Sequence, residues 1–252
     1  MALSTRHLIL GARALALAAW PLTSWRARWS VEMAHNFLWL YPTLRQNCAW
    51  HGPVVTHFET DRREVWLTID DGPDPRDTPG MLDVLARYNA KATFFVIGRQ
   101  VDSQRALVRR ILREGHSLGN HTYSHPAGWW WAAPRPVVRH EMAWGTKAIE
   151  TATGAKPRWF RSPVGMNNVS VHPIAEGEGQ RVVGWSAGGK DGCPAAPTRV
   201  IQRIMASVKP GAIIVLHEGG TSRYRVSTLE RLLERLQGEG YTCVLPEPES
   251  LH

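Results

Sequence analysis

Residues 64–73 read Glu64-Val65-Trp66-Leu67-Thr68-Ile69-Asp70-Asp71-Gly72-Pro73. The first six alternate as a strand does, and the run stops at two adjacent carboxylates and a Gly-Pro turn. Downstream, residues 78–88 predict a helix, with Thr78 as its N-cap, Pro79 in the first turn and Met81, Leu82 and Leu85 on one face. Residues 92–98, ATFFVIG, form an apolar run of the buried-strand type. Helical patterns follow over 101–113, 136–153, 197–208 and 227–237, with Gly238 and Gly240 at the last exit. Short strands fit 116–121, 158–161, 181–187, 212–216 and 241–245. About seven strands interleaved with helices argue for a parallel sheet with helices outside, either a barrel or a doubly wound sheet.

The chain has 252 residues, 43% hydrophobic and 21% charged, which excludes a disordered tail, a collagen-like fibre and a disulfide-held mini-protein. A mean hydropathy of −0.27 excludes a multi-span membrane protein. The length suits one large α/β domain, residues 54–252, preceded by an appendage, residues 1–53. Thirty Lys and Arg against 22 Asp and Glu give a net charge of +8, which points to an anionic partner such as a membrane surface or a charged polymer, or to a solvated basic surface. No basic run reaches five residues and no zinc-finger or RNA-motif signature is present, so nucleic acid is not expected. Cys48, Cys193 and Cys243 are odd in number and far apart, which argues against a disulfide framework.

Five of the 12 tryptophans fall within the first 50 residues. There, residues 8–22 are apolar except for Arg13. Fifteen residues fall short of the roughly 20 needed to span a bilayer as a helix. The favoured reading is an interfacial helix over 8–29, with Trp and Arg at headgroup level. A helix packed on the domain and a cleaved secretory signal are the alternatives. Peripheral membrane contact through the N-terminus, and a membrane or cell-envelope location, are the corresponding expectations.

Four polar clusters follow predicted strands, where a parallel barrel collects its active site. Asp70-Asp71 is one: a metal can take one carboxylate and leave the other free as a base, although Asp-Gly-Pro is also ordinary turn chemistry. His121 and His125 have the H-x₃-H spacing of a zinc site, and with a carboxylate from another strand end they give three ligands and an open position. His116 reads as structural. Arg161 in FRSPVG can fix a neighbouring carboxylate, and the following turn can present backbone N–H groups to an oxyanion. His217 in VLHEG is a positioned general acid, with Asp191 in the Gly-rich loop 188–192 as its candidate tuner.

Taken together, LTIDDGP, ATFFVIG, HTYSH, FRSPVG and VLHEG resemble, in order and spacing, the motifs of the polysaccharide deacetylase family, the NodB-homology domain of carbohydrate esterase family 4. The resemblance covers residues 63–248 and implies a distorted barrel of seven or eight β/α units that removes N-acetyl, sometimes O-acetyl, groups from sugars. It implies a divalent metal, zinc first, on Asp71, His121 and His125. Asp70 is then the base, Arg161 its orienting partner, His217 the acid and Asp191 its tuner. The Val164 N–H assists the oxyanion, and Leu216 lines an acetyl-methyl pocket. The sequence departs from the family at Val164, where Tyr is usual, at Glu218, where Asp is common, and at Gly192, where Trp is usual. Trp185 lies upstream of that position.

The expected substrate is an acetylated carbohydrate, either a cell-envelope glycan or a lipid-linked sugar, and the basic, Trp-rich N-terminus favours the latter over soluble chitin. An amidase or deformylase acting on a non-polymeric amide would keep the same site. A metal-containing glycan-binding protein without turnover would need neither a free base nor an acid, so Asp70 and His217 argue against it.

Overall fold

The computed structural model describes residues 24–251 except 194, together with residue 11. Among the described residues, eight strands are β1 (Glu64–Gly72), β2 (Ala92–Val96), β3 (Ser117–Asn120), β4 (Trp159–Phe160), β5 (Arg181–Val182), β6 (Ala187–Gly188), β7 (Ile213–His217) and β8 (Thr242–Cys243). Among the described residues, the α-helices of the domain and its approach are α1 (Trp25–Leu44), α2 (Thr78–Arg87), α3 (Gly98–Ser103), α4 (Arg105–Arg113), α5 (Arg135–Thr153), α6 (Val171–Gly177), α7 (Pro197–Met205) and α8 (Arg225–Gly238). The strands run in the order β5-β4-β3-β2-β1-β7-β6, every pair parallel, and β8 joins the start of β1. The sheet curls into a distorted, open (β/α) barrel, one of the two arrangements the alternation allows and the one the family resemblance implies.

β1 is the central strand and shows how the sequence sorts its side chains. Val65, Leu67 and Ile69 point to the helix layer, where they meet Met81, Leu82 and Leu85 of α2 and Leu229, Leu232 and Leu236 of α8. Trp66 points the other way, into a cluster with Phe95, Trp159, Val183 and Ile213. Side chains alternate across a strand, so Thr68 and Asp70 fall on the Trp66 face. Both faces are buried, which is why Trp66 and Thr68 are as inaccessible as Val65 and Leu67. Truncating a core residue such as Leu82 to Ala would cost about 2–5 kcal/mol.

Three expectations are revised. The helix expected over 101–113 breaks at Gln104, whose ψ of 39 lies outside the helical region, and becomes α3 and α4. The strand expected over 181–187 is two short strands, because the Val183 and Gly184 carbonyls turn to the buried Arg161 guanidinium. Thr78 does not cap α2. Its hydroxyl accepts the Asp74 N–H at 2.8 Å and donates to Glu218, and Asp77 occupies the cap position.

In the appendage, the interfacial segment expected over 8–29 lies mostly outside the described residues. Its described part opens α1, capped by Ser24, whose side chain accepts the Ala27 N–H. No helix among the described residues is long and apolar enough to cross a membrane. The connection into the barrel runs through a parallel bridge between Val55 and Val183.

Candidate active site

Asp70 is the last interior-facing residue of β1 and is buried. Its register partner on β7 is His217, so base and acid candidates stand side by side on neighbouring strands. Arg161, fully buried beyond β4, donates from Nη1 to Asp70 Oδ1 at 2.6 Å and to Thr68 Oγ1 at 2.7 Å. Its Nη2 and Nε donate to the Gly184 and Val183 carbonyls, and its Cζ lies 4.2 Å from the Phe95 ring centroid. Every fork of the guanidinium is therefore fixed, and Asp70 Oδ1 is held while the other oxygen stays clear of it.

Asp71, one residue on, sits at a bulge of β1 with φ 75 and points elsewhere. Its Oδ1 lies 3.3 Å from His125 Nε2 and 3.5 Å from His121 Nε2. His121 Nδ1 faces the Arg161 carbonyl at 2.8 Å, which places the proton of the neutral ring on Nδ1 and leaves the Nε2 lone pair for a ligand. Burial pushes His125 down to about 4, helped by the neighbouring His121 and opposed by Asp71, so the ring is neutral at pH 7. Burial raises the Asp71 carboxyl, but the neighbouring His121, with His125 and His217 behind it, outweighs burial and holds Asp71 well below the usual carboxylate range. Asp71 Oδ1 is buried with no hydrogen-bond partner, a costly arrangement unless a cation answers it. Three ligand atoms of Asp71, His121 and His125 lie within 4.8 Å of one another, so the group fits one metal ion.

His217 is the opposite case. Burial would lower it, but the hydrogen bond from Nδ1 to Asp191 Oδ1, 2.9 Å long, and the charges of Asp191, Asp70 and Asp71 raise it to about 9. Asp191 Oδ2 also accepts the His217 N–H at 2.8 Å, so the predicted tuner grips ring and backbone together. Gly192 lies against the same ring: a Cβ there would sit 3.8 Å from His217 Cε1.

The turn that follows Arg161, residues 163–165, is equally constrained. Val164 has φ 57, a conformation rare for a β-branched residue. A Cβ on Gly165 would stand 2.5 Å from the Trp185 ring. Trp185 packs from the β5–β6 connection beneath this turn, with its ring 5.6 Å from Arg161 Cζ. Leu216 does not face the site. It packs in the helix-side core with Ile69 and Leu229, and the β7 residue on the His217 face is Val215, whose methyl lies beside Gly188 and Trp185.

Two supporting residues, Arg225 and Glu141, escaped the sequence reading, and a third, Glu218, was noted there only as a departure from the family. Arg225, buried at the start of α8, donates to the Asp191 carbonyl at 2.6 Å, to Asp191 Oδ2 at 3.1 Å and to the Gly219 carbonyl at 3.2 Å. Glu141, on the buried face of α5, accepts the Tyr123 and Ser124 N–H groups and the Ser124 hydroxyl, which fixes the turn that carries His125. A buried carboxylate amid the apolar positions of α5 was the available signal. Glu218 fills the space above Gly72, where any Cβ would overlap its Oε1, so Gly72 is required by packing as well as by turn chemistry. Burial, with Asp74 and Asp77 nearby, raises Glu218 to about 8 against the Thr78 and Asp74 hydrogen bonds.

The polysaccharide deacetylase family profile matches residues 57–183. A chitooligosaccharide deacetylase of Bradyrhizobium sp. (strain ANU 289) is 37% identical over 71% of this chain and 87% of its own length. Among solved structures, the Bc1960 peptidoglycan N-acetylglucosamine deacetylase superposes with a TM-score of 0.70 at 29% identity, over 75% of this chain and 88% of that one. BA3943 of Bacillus anthracis, a CE4 family pseudoenzyme, superposes with a TM-score of 0.67 at 27% identity, over 75% of this chain and 65% of that one. With its curled parallel sheet and with these relatives, the chain belongs to the polysaccharide deacetylase family, the NodB-type carbohydrate deacetylases.

Proposed function

We infer that the chain is a metal-dependent hydrolase that removes the N-acetyl group of an amino sugar in a glycan. The observation that carries this reading is the register pairing of Asp70 with His217 beside the Asp71, His121 and His125 triad. A divalent ion bound by that triad supplies Lewis-acid polarisation of the acetyl carbonyl and acidifies water, and two imidazoles with one carboxylate suit zinc. Asp70, with one oxygen fixed by Arg161, takes the proton of the attacking water with the other. The water oxygen bonds to the acetyl carbon. The Val164 N–H shares the charge that develops on the carbonyl oxygen. The C–N bond breaks as His217, whose Nδ1 proton is tied to Asp191, donates its Nε2 proton to the departing nitrogen. Acetate and a free amine result. Val215, on the His217 face, takes the acetyl-methyl role in place of Leu216.

An amide nitrogen leaves only when protonated, and His217 held at about 9 meets that need at neutral pH. This favours N-acetyl over O-acetyl substrates. The amine-forming reading is tested by incubating the metal-loaded protein with chitooligosaccharides and peptidoglycan fragments and measuring acetate and free amine together. Equimolar release of both is expected, abolished by chelation. Glycan binding without acetate release would instead place the chain with non-catalytic members of the family.

A further inference from the structure

Water-facing helices normally hide their apolar stripe, and α1 does the reverse. Trp25, Trp29, Met33 and Phe37 recur every fourth residue and are 66%, 65%, 62% and 61% exposed. Leu40 and Leu44, also exposed, continue the same face. The stripe runs roughly 28 Å at 1.5 Å per residue. The far end of the helix is tied down, where Pro42 and Thr43 are buried, as is Cys48 just beyond it.

Charge indicates what covers this face. Residues 1–53 contain five arginines and a single acid, Glu32. Arg26 lies over the Trp25 ring at 5.5 Å and Arg45 over the Tyr41 ring at 5.7 Å, so each end of the stripe carries a cation on an aromatic. The 23 residues before the Ser24 cap contain no acid and are apolar over 8–22 except for Arg13. Apolar side chains bounded by Trp, Tyr and Arg match the boundary between acyl chains and anionic headgroups.

The tied end of α1 leads to the active site. Gln46 Nε2 donates to the Val164 carbonyl at 3.0 Å, the Asn47 N–H to the Gly165 carbonyl at 3.1 Å and Asn47 Nδ2 to the Trp185 carbonyl at 2.9 Å. A cleft of about 440 Å³ lies between α1, at Asn36, Leu40 and Thr43, and Trp131. Its other wall is the 168–170 segment. These two walls continue from the chain just after His125 and just after the oxyanion turn.

We propose that the exposed face of α1 docks on an anionic lipid surface and presents the catalytic mouth to N-acetylated sugars carried on lipid. The proposal rests on the deacetylase reading for its substrate but not for its binding step. The test uses full-length, metal-loaded protein and sedimentation with vesicles of phosphatidylglycerol or of phosphatidylcholine. Wild type is expected to bind the former and to release as salt rises. The combined Trp25→Ser, Trp29→Ser, Met33→Ser, Phe37→Ser variant should lose about ten-fold or more in vesicle affinity. It should keep its metal content and its rate on soluble chitooligosaccharide, and lose rate on an N-acetyl amino sugar attached to lipid in those vesicles. An Arg26→Gln, Arg28→Gln variant should flatten the salt dependence. Equal vesicle binding by the quadruple variant overturns the proposal, as does a wild-type dimer in light scattering that the same variant converts to monomer. Vesicle binding with no deacetylation of any N-acetyl sugar would defeat the deacetylase reading and leave the docking surface standing.

Discussion

The two sides of the site use the same residue type in opposite charge states. On the β3 side, His125 is pushed down to about 4 by burial and by His121, so it is neutral and free to ligate. On the β7 side, His217 is raised to about 9 because Asp191 accepts from its Nδ1 and further carboxylates face it. Burial acts downward on both rings. The difference is the partner: a second imidazole beside one, a dedicated carboxylate beside the other. In the proposed reaction the β3 end holds the metal and the β7 end supplies the acid, and Asp70 and Asp71, on β1 between them, divide the two roles.

The largest expected effects break one side outright. His125→Ala should release the ion, read by elemental analysis of purified protein, and take nearly all activity with it. Full metal occupancy in a His121→Ala, His125→Ala double variant would refute the triad. Asp70→Asn should retain the ion yet lose roughly 10²-fold or more in kcat, the scale of removing a general base. Near-normal turnover would move the base elsewhere.

On the acid side, Asp191→Asn should lower the pKa of His217 by about 1–3 units, so the alkaline limb of the kcat/KM profile moves down in pH. The same pair links folding to pH. A ring raised from 6.5 to about 9 contributes stability that is complete below about 6.5 and is lost as pH rises through about 9. The wild type should therefore lose stability across that window and Asp191→Asn should not. Arg225→Gln should produce a smaller downward shift of the same limb with KM little changed, and Arg225→Lys should restore part of it. A loss of activity with an unmoved profile would make Arg225 a packing residue only.

The smallest effect concerns stability in acid. His116 accepts the Ala92 N–H and is pushed down to about 4, first by burial and then by Lys91. The unfolded ring takes its proton near 6.5, so the stability tied to the neutral ring is present above 6.5 and is lost as pH falls toward 4. In metal-free protein, urea midpoints compared at pH 7 and pH 5 should converge in His116→Gln. The effect is on the order of 1 kcal/mol after solvent screening. An unchanged difference would assign the acid sensitivity to His125 or His172, which are lowered by burial in the same way.

The sequence by itself determined the parallel β/α order, the strand that ends in Asp70 and Asp71, and the spacing of His121 and His125. These are periodicities of three to ten residues, written by local geometry into the order of side chains. The facing of β7 was also legible, since His217 shares its parity with Val215 and not with Leu216. Only the tertiary structure decided that Asp70 lies in register with His217, that Arg161 is held by carbonyls freed from a broken strand, and that Arg225 braces Asp191. Only it showed that the stripe of α1 faces outward. Pairing and facing between elements distant in the chain depend on how buried surfaces fit together, and no local run of residues encodes that fit.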